Sequence, residues 1–360
     1  MNKTAIVNTS LGRGGSERVT VILSEYLNKI GVDTEVVTIY KEDNEYTLSN
    51  SVKRNILLND KENRKNKLLK ILISIKKLRD VIKEKNIDTL IVMDLPLFTY
   101  SIPSTFFLKT KVIVSERNDP ASYSGSKMIK IVSRFLMRFA DGFVFQTNDA
   151  KNFYSKFLKG RGTVIYNPLE SSNLPDVYNG KKEKIIVSMG RLYPQKNQKI
   201  LIEAFANIAN KIPDYKLIIY GEGPLRNEFE SQIEHLNLKD RIILPGNFLD
   251  VHERIKKASL FVMTSDFEGM PNALIEAMAM GLPCISTDCP CGGPRELIID
   301  GENGILVPVN DTLSLQESIL KVLSDEKFAN SLSKEGIKIR DKLSVEKIGK
   351  QWLDYINEIV

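Results

Sequence analysis

The segment SDFEGMPNALIEAMAMGLP, residues 265–283, carries two glutamates, Glu268 and Glu276, eight positions apart, with Gly269-Met270-Pro271-Asn272 between them. Glu268 precedes an apolar helical run and Glu276 lies inside it. Pro271 suits a first helical turn, where its missing N–H costs nothing, so the amides of Gly269, Met270 and Asn272 are expected to face a ligand. A helix N-terminus favours anions. A carboxylate just before it can accept hydrogen bonds from hydroxyls, and one over a turn further, up to about 12 Å away at helical rise, can grip a second part of the same ligand. Each carboxylate has two acceptor oxygens, a match for a vicinal diol such as a ribose. A molecule with hydroxyls at both ends and phosphate between them is a nucleotide sugar. The same spacing is also met by two surface glutamates flanking a core helix.

Upstream, SMGRLYPQKN puts Arg191 at the end of a strand pattern and Lys196 five residues on. Two fixed cations there suit a diphosphate, arginine through paired hydrogen bonds and lysine as a point charge. YGEGPL adds a turn with Gly221 and Gly223, and NTSLGRGGSERV adds Gly12, Gly14 and Gly15 just before a helix expected to start near Ser16. Glycines there let backbone approach a phosphate or sugar. The loop is neither a dinucleotide fingerprint, since Glu17 occupies the third glycine position, nor a P-loop, since no G-K-[ST] follows. A nicotinamide-dependent dehydrogenase is disfavoured on that ground.

The elements that must carry these residues alternate. TAIVNT, TEVVTIY, DTLIVMD, KVIVSE, GFVFQ and TVIYN, then KIIVSMG, YKLIIYG, RIILPG, SLFVMTS and PCISTD, read as strands separated mostly by helical patterns such as 197–210 and 272–281. The expected organisation is an N-terminal domain at 1–166, a polar proline-bearing linker at 167–183, a second domain at 184–343 and a terminal helix at 344–360 with room to cross back to the first domain. Ligands in open α/β sheets bind beyond the strand carboxyl ends.

Net charge is +6, but residues 1–180 hold 28 basic against 19 acidic side chains and the remainder 23 against 26. The first half is therefore expected to meet something anionic. Two basic amphipathic stretches, 64–85 and 127–139, suit either packing on the sheet or an anionic membrane surface. Without a secretory signal or a spanning segment, the protein is expected in the cytoplasm. Cys284, Cys289 and Cys291 match no zinc spacing and read as buried or loop thiols.

Taken together, GRGGSERV, GRLYPQKN, YGEGPL, TSDFEGMPNALIEAMAMGLPCIST and GGPRELI resemble the family-4 retaining glycosyltransferases over nearly the whole chain. The resemblance implies a GT-B fold, two Rossmann-like α/β domains whose parallel sheets face a central cleft, and a UDP-sugar donor. It implies that Arg191 and Lys196 bind the donor diphosphate, Glu276 the ribose and Glu268 the transferred sugar, with Gly14 and Gly15 covering that sugar. Gly221, Gly223, Gly269, Met270, Pro271 and Asn272 complete the donor-binding set. Where some relatives carry a histidine facing the sugar, this chain has Glu116-Arg117-Asn118-Asp119, and SERND is itself similar to sugar transferases of bacterial surface-polysaccharide assembly. Those four residues and Asp94 are the acceptor-side candidates.

The expected function is retaining transfer of a hexose or N-acetylhexosamine to a polyprenyl-diphosphate-linked saccharide, as in capsule or lipopolysaccharide synthesis, at the inner face of the cell membrane. No metal is expected, because no D-x-D triplet ends a strand, and neither a cofactor nor a nucleic-acid partner is expected. Asp94, Glu116 and Asp119 are the candidate nucleophiles of a covalent route. A GT-B sugar-nucleotide epimerase or a non-catalytic binding protein would keep the same phosphate grip.

Overall fold

The computed structural model describes residues 3–122, 127–158 and 161–360. The chain divides into two units, Met1–Pro168 with Val345–Val360, and Leu169–Ser344.

The first unit is built on Thr4–Asn8 (β1), Thr34–Thr38 (β2), Lys53–Ile56 (β3), Thr89–Met93 (β4), Lys111–Glu116 (β5), Gly142–Phe145 (β6) and Thr163–Val164 (β7). The order is β3-β2-β1-β4-β5-β6-β7, and every neighbouring pair is parallel. β1 and β4 are buried along their whole length. The chain grows outward from β1 to β2 and β3, then returns to add β4 on the other side, so the topological switch point lies between β1 and β4. The terminal helix, Val345–Ile359, belongs to this unit: Trp352 is fully buried, and the Phe143 N–H donates to the Tyr355 hydroxyl at 2.8 Å.

The second unit repeats the plan with Glu183–Met189 (β8), Lys216–Tyr220 (β9), Ile242–Gly246 (β10), Ala258–Met263 (β11), Cys284–Thr287 (β12) and Ile305–Val307 (β13). The order is β10-β9-β8-β11-β12-β13, again all parallel, with the switch point between β8 and β11. The Gln198–Ile208 helix sinks Leu201, Ile202, Ala204 and Phe205 completely into this core. Burial of each large apolar side chain contributes roughly 1.5–3 kcal/mol.

Two strands lie outside the sequence reading. β3 was not anticipated, because KRNI is an edge strand whose side chains are all at least partly exposed and which therefore lacks an apolar alternation. β13 was missed because it has only three residues. Within the stretch read as the linker, residues 169–182 are tied to the second unit: the Leu169 N–H donates to the Leu343 carbonyl at 2.7 Å, and Arg340 donates to the Pro175 carbonyl at 3.1 Å.

Candidate functional site

In the second unit, the loops after β8, β9, β10 and β11 converge on one sheet edge. Backbone hydrogen bonds stitch the first three: Gly190 N–H to Tyr220 O, Leu192 N–H to Glu222 O and Gly221 N–H to Gly246 O, at 2.9, 2.9 and 3.0 Å. Gly221 has φ +154°, and a Cβ on it would meet the Gly190 carbonyl oxygen at 1.9 Å. Glycine there is what allows the YGEGPL turn, with Gly223, to lie against the loop that carries Arg191. The two glycines expected to bind donor thus have an architectural reason for their type.

Across the switch point, the loop after β8 meets the loop after β11. Asn197 Nδ2 donates to Asp266 Oδ1 at 2.7 Å, the Asp266 N–H donates to Gln195 O at 2.9 Å, and Gln195 Nε2 donates to Phe267 O at 2.9 Å. These contacts bring Lys196 onto Glu268, an ion pair between two largely covered side chains. Ser265 Oγ donates to the same carboxylate oxygen at 2.7 Å. The expectation gave Lys196 and Glu268 separate halves of a ligand; the structure brings them into direct contact, because 72 residues of sequence return to one edge. Arg191, expected as a fixed cation, is exposed, with its guanidinium 5.1 Å from the Tyr193 ring centroid. An exposed arginine keeps its rotamer freedom, so this guanidinium is not fixed in place.

The Asn272–Ala279 helix starts after Pro271 without a side-chain cap and buries Leu274, Ile275, Ala277 and Met278. Every residue from Leu274 to Ala279 is buried, and Glu276 is only 6% exposed. A carboxylate so enclosed needs a partner, and His252 Nε2 lies 2.9 Å from Glu276 Oε2. His252 was not among the anticipated residues, since nothing in the linear pattern ties VHERI to the helix 24 residues later. Gly269, Met270 and Pro271 form the turn before the helix. This turn is held by the Glu268 N–H donating to Pro290 O at 2.6 Å and the Cys291 N–H donating to Glu268 O at 3.0 Å. A Cβ on Gly293 would meet the Gly269 carbonyl at 1.7 Å, so the GGPRELI segment must be glycine there to brace the turn. All three cysteines are free and buried, and among the described residues no three His, Cys, Asp or Glu side chains form a metal-binding group.

In the first unit, Gly14 precedes and Gly15 opens the Gly15–Lys29 helix just beyond β1, and Asp94 follows β4. Both therefore flank that unit's switch point. Ser16 Oγ receives Asn8 Nδ2 at 3.2 Å and hydrogen-bonds the Asp94 carboxylate. At the end of β5 and just beyond it, Glu116, Arg117 and Asp119 are buried and Asn118 is exposed. Arg117 donates to Ser115 Oγ at 3.3 Å and to Asn167 Oδ1 at 2.5 Å. Burial brings its guanidinium down to about 10, against the Asp94 charge. Asp119 closes a turn, accepting from the Ala121 N–H at 3.0 Å and from Ser122 Oγ at 2.5 Å. Tyr154 donates to Glu116 Oε2 at 3.3 Å. Burial, reinforced by the Asp94 charge, lifts Glu116 to about 8, so it is a proton-bearing acid at neutral pH. A protonated carboxyl is a poor nucleophile.

Two family models cover the chain between them: Glycosyltransferase Family 4 over residues 13–172 and Glycosyl transferases group 1 over residues 173–339. An uncharacterised glycosyltransferase of Methanocaldococcus jannaschii is 30% identical over 353 residues, covering 82% of this chain and 86% of that protein. From Campylobacter jejuni, an N-acetylgalactosamine-N,N'-diacetylbacillosaminyl-diphospho-undecaprenol 4-alpha-N-acetylgalactosaminyltransferase is 29% identical, covering 99% of this chain and 100% of its own. Among solved structures, Anabaena HepE in complex with UDP and glucose superposes with a TM-score of 0.86 at 17% identity, over 99% of this chain and 100% of that one. The two-sheet architecture is the GT-B fold, and the chain belongs to glycosyltransferase family 4.

Proposed function

We propose that the protein transfers a hexose or N-acetylhexosamine from a UDP-sugar to a hydroxyl of a polyprenyl-diphosphate-linked saccharide, with retention of anomeric configuration and without a metal ion. The carrying observation is the second unit's switch point, where Lys196 and Glu268 meet and Glu276 lies one helical stretch away beside His252. Glu276 accepts the ribose hydroxyls and Glu268 the hydroxyls of the transferred sugar. Arg191, Lys196 and the helix N-terminus at Gly269–Asn272 stabilise the charge that grows on the departing diphosphate. The acceptor oxygen bonds to the anomeric carbon on the face from which the diphosphate leaves. As the bond from that carbon to the phosphate oxygen breaks, the hydroxyl proton passes to the departing oxygen, and the products are UDP and the extended saccharide. The Anabaena neighbour bound to UDP and glucose supports the donor class, and the Campylobacter relative supports a lipid-linked acceptor.

Membrane docking belongs to the same reading. The Lys127–Leu136 helix and its surroundings leave Met128 74%, Ile131 69%, Phe135 52%, Phe139 53% and Phe107 101% exposed. Phe139 lies edge-on to both Phe106 and Phe135, with ring centroids 5.5 and 5.9 Å away. An aromatic cluster beside Lys127, Lys130 and Arg138 suits the headgroup region of an anionic bilayer at the cytoplasmic face. Among the described residues no helix is long and apolar enough to cross a membrane. The test of the donor reading is a screen of sugar nucleotides for thermal stabilisation and for transfer to a lipid-diphosphate saccharide, since a ligand that binds only the folded state raises stability. A screen in which no UDP-sugar stabilises the protein would overturn it.

A further inference from the structure

The five acceptor-side candidates are not equivalent. Asp119 is spent on its turn, Arg117 is pinned by Ser115 and Asn167, Glu116 is capped by Tyr154, and Asn118 is exposed. Asp94 differs from all of them. Its backbone sits at φ +74°, ψ 146°, close to a region that only glycine occupies without strain. Its carboxylate is held on one side by Ser16 and the Arg117 N–H. Its Oδ1 is nonetheless shut away from solvent with no hydrogen-bond partner among the described residues. Two separate costs, a strained backbone and a desolvated acceptor atom, thus coincide at one residue. That residue ends β4, beside the first turn of the helix that follows β1, at the crevice where open parallel sheets bind ligands.

We propose that Asp94 is the acceptor-orienting residue of the first unit: its carboxylate takes a hydrogen bond from a hydroxyl of the acceptor sugar, and the strained backbone is retained for that contact. This rests on the transfer reading above. Asn8 and Ser16 serve as positioning residues, since Asn8 donates to the Ser16 oxygen and turns the Ser16 proton toward Asp94. Burial pushes the Asp94 carboxyl above its ordinary range, and the Arg117 charge opposes that shift.

A strained functional residue has a signature that a structural one lacks, namely that glycine improves the fold while removing the function. Asp94→Gly should raise the melting temperature by a few degrees, because relief of the backbone strain stabilises the folded unit. Asp94→Asn, which keeps the shape, should lower kcat/KM for the acceptor by about 10- to 100-fold, the loss of one hydrogen bond to a charged group. Both variants should keep UDP affinity, which rests on the second unit. A fall in melting temperature for Asp94→Gly, or full acceptor turnover in Asp94→Asn, would overturn the proposal. If the unsubstituted protein transfers sugar from no UDP-sugar, the proposed function fails and the acceptor role goes with it. The melting temperature of Asp94→Gly would still decide whether residue 94 is strained.

Discussion

Replacing Lys196 with alanine should destabilise the second unit before it does anything to catalysis. The Lys196 and Glu268 side chains are 21% and 9% exposed, and Ser265 is the other donor recorded on the Glu268 carboxylate. Removing one partner of a fully buried ion pair costs about 3–5 kcal/mol, because the other charge is left without compensation. An exposed pair is worth about 0–1 kcal/mol. The exposures here lie near the buried end, and the lysine's partial access to water brings the cost of Lys196→Ala to about 2–3 kcal/mol. For a unit of this size that is a fall in melting temperature of roughly 4–12 °C. Neutralising the stranded acid should reverse most of it, so Lys196→Ala/Glu268→Gln should melt higher than Lys196→Ala alone while remaining inactive. Thermal and denaturant unfolding of the two single variants and the double variant provide the measurement. Additive losses, or a single-variant cost under about 0.5 kcal/mol, would refute the coupling.

Glu116 gives a pH signature. Its folded value near 8 lies above its ordinary 4.5, so the folded state holds a proton that the unfolded chain has lost. Its contribution is therefore intact below pH 4.5 and is lost as pH rises towards 8, by at most about 1.4 kcal/mol per unit. Glu116→Gln should flatten the decline of melting temperature between pH 5 and 8, and an unchanged decline would show the group to be ionised. Turnover should persist in excess EDTA, and Arg191→Ala should lose rate that neither magnesium nor manganese restores; abolition by EDTA with rescue by manganese would reassign the diphosphate to a metal ion. Sedimentation with anionic liposomes should weaken as salt rises, through screening, and should be lost in Met128→Ser/Phe135→Ser. Lys77 and Arg134 are less informative targets there, because Lys77 pairs with Glu62 and Arg134 donates to the Pro120 carbonyl.

What could be read from the sequence followed from periodicity. Buried central strands stand out because the runs TAIV and TLIVM are apolar or β-branched at every residue. The Glu268–Glu276 spacing is local, so its division into a loop residue and a helix residue was legible as well. The edge strand β3 was not, since one row of partly exposed side chains carries no alternation. Contacts made by return of the chain were equally hidden: Lys196 on Glu268 and His252 on Glu276 join segments 72 and 24 residues apart. The strain at Asp94 is a backbone property that no side-chain pattern announces. The basic helices were visible, but the aromatic cluster beside one of them needed the Phe106–Phe107 turn brought against Phe139.

The division of labour between the two glutamates is tested most directly by titrating UDP into the unsubstituted protein, Glu276→Ala and Glu268→Gln in a calorimeter. Loss of the buried acceptor that His252 holds in position should weaken UDP by about tenfold or more, the worth of a hydrogen bond to a charged group. Glu268→Gln should bind UDP as tightly as the unsubstituted protein or more tightly, because Lys196 is then released to the diphosphate, while sugar transfer is lost. Equal UDP affinity in Glu276→Ala and the unsubstituted protein would contradict the account.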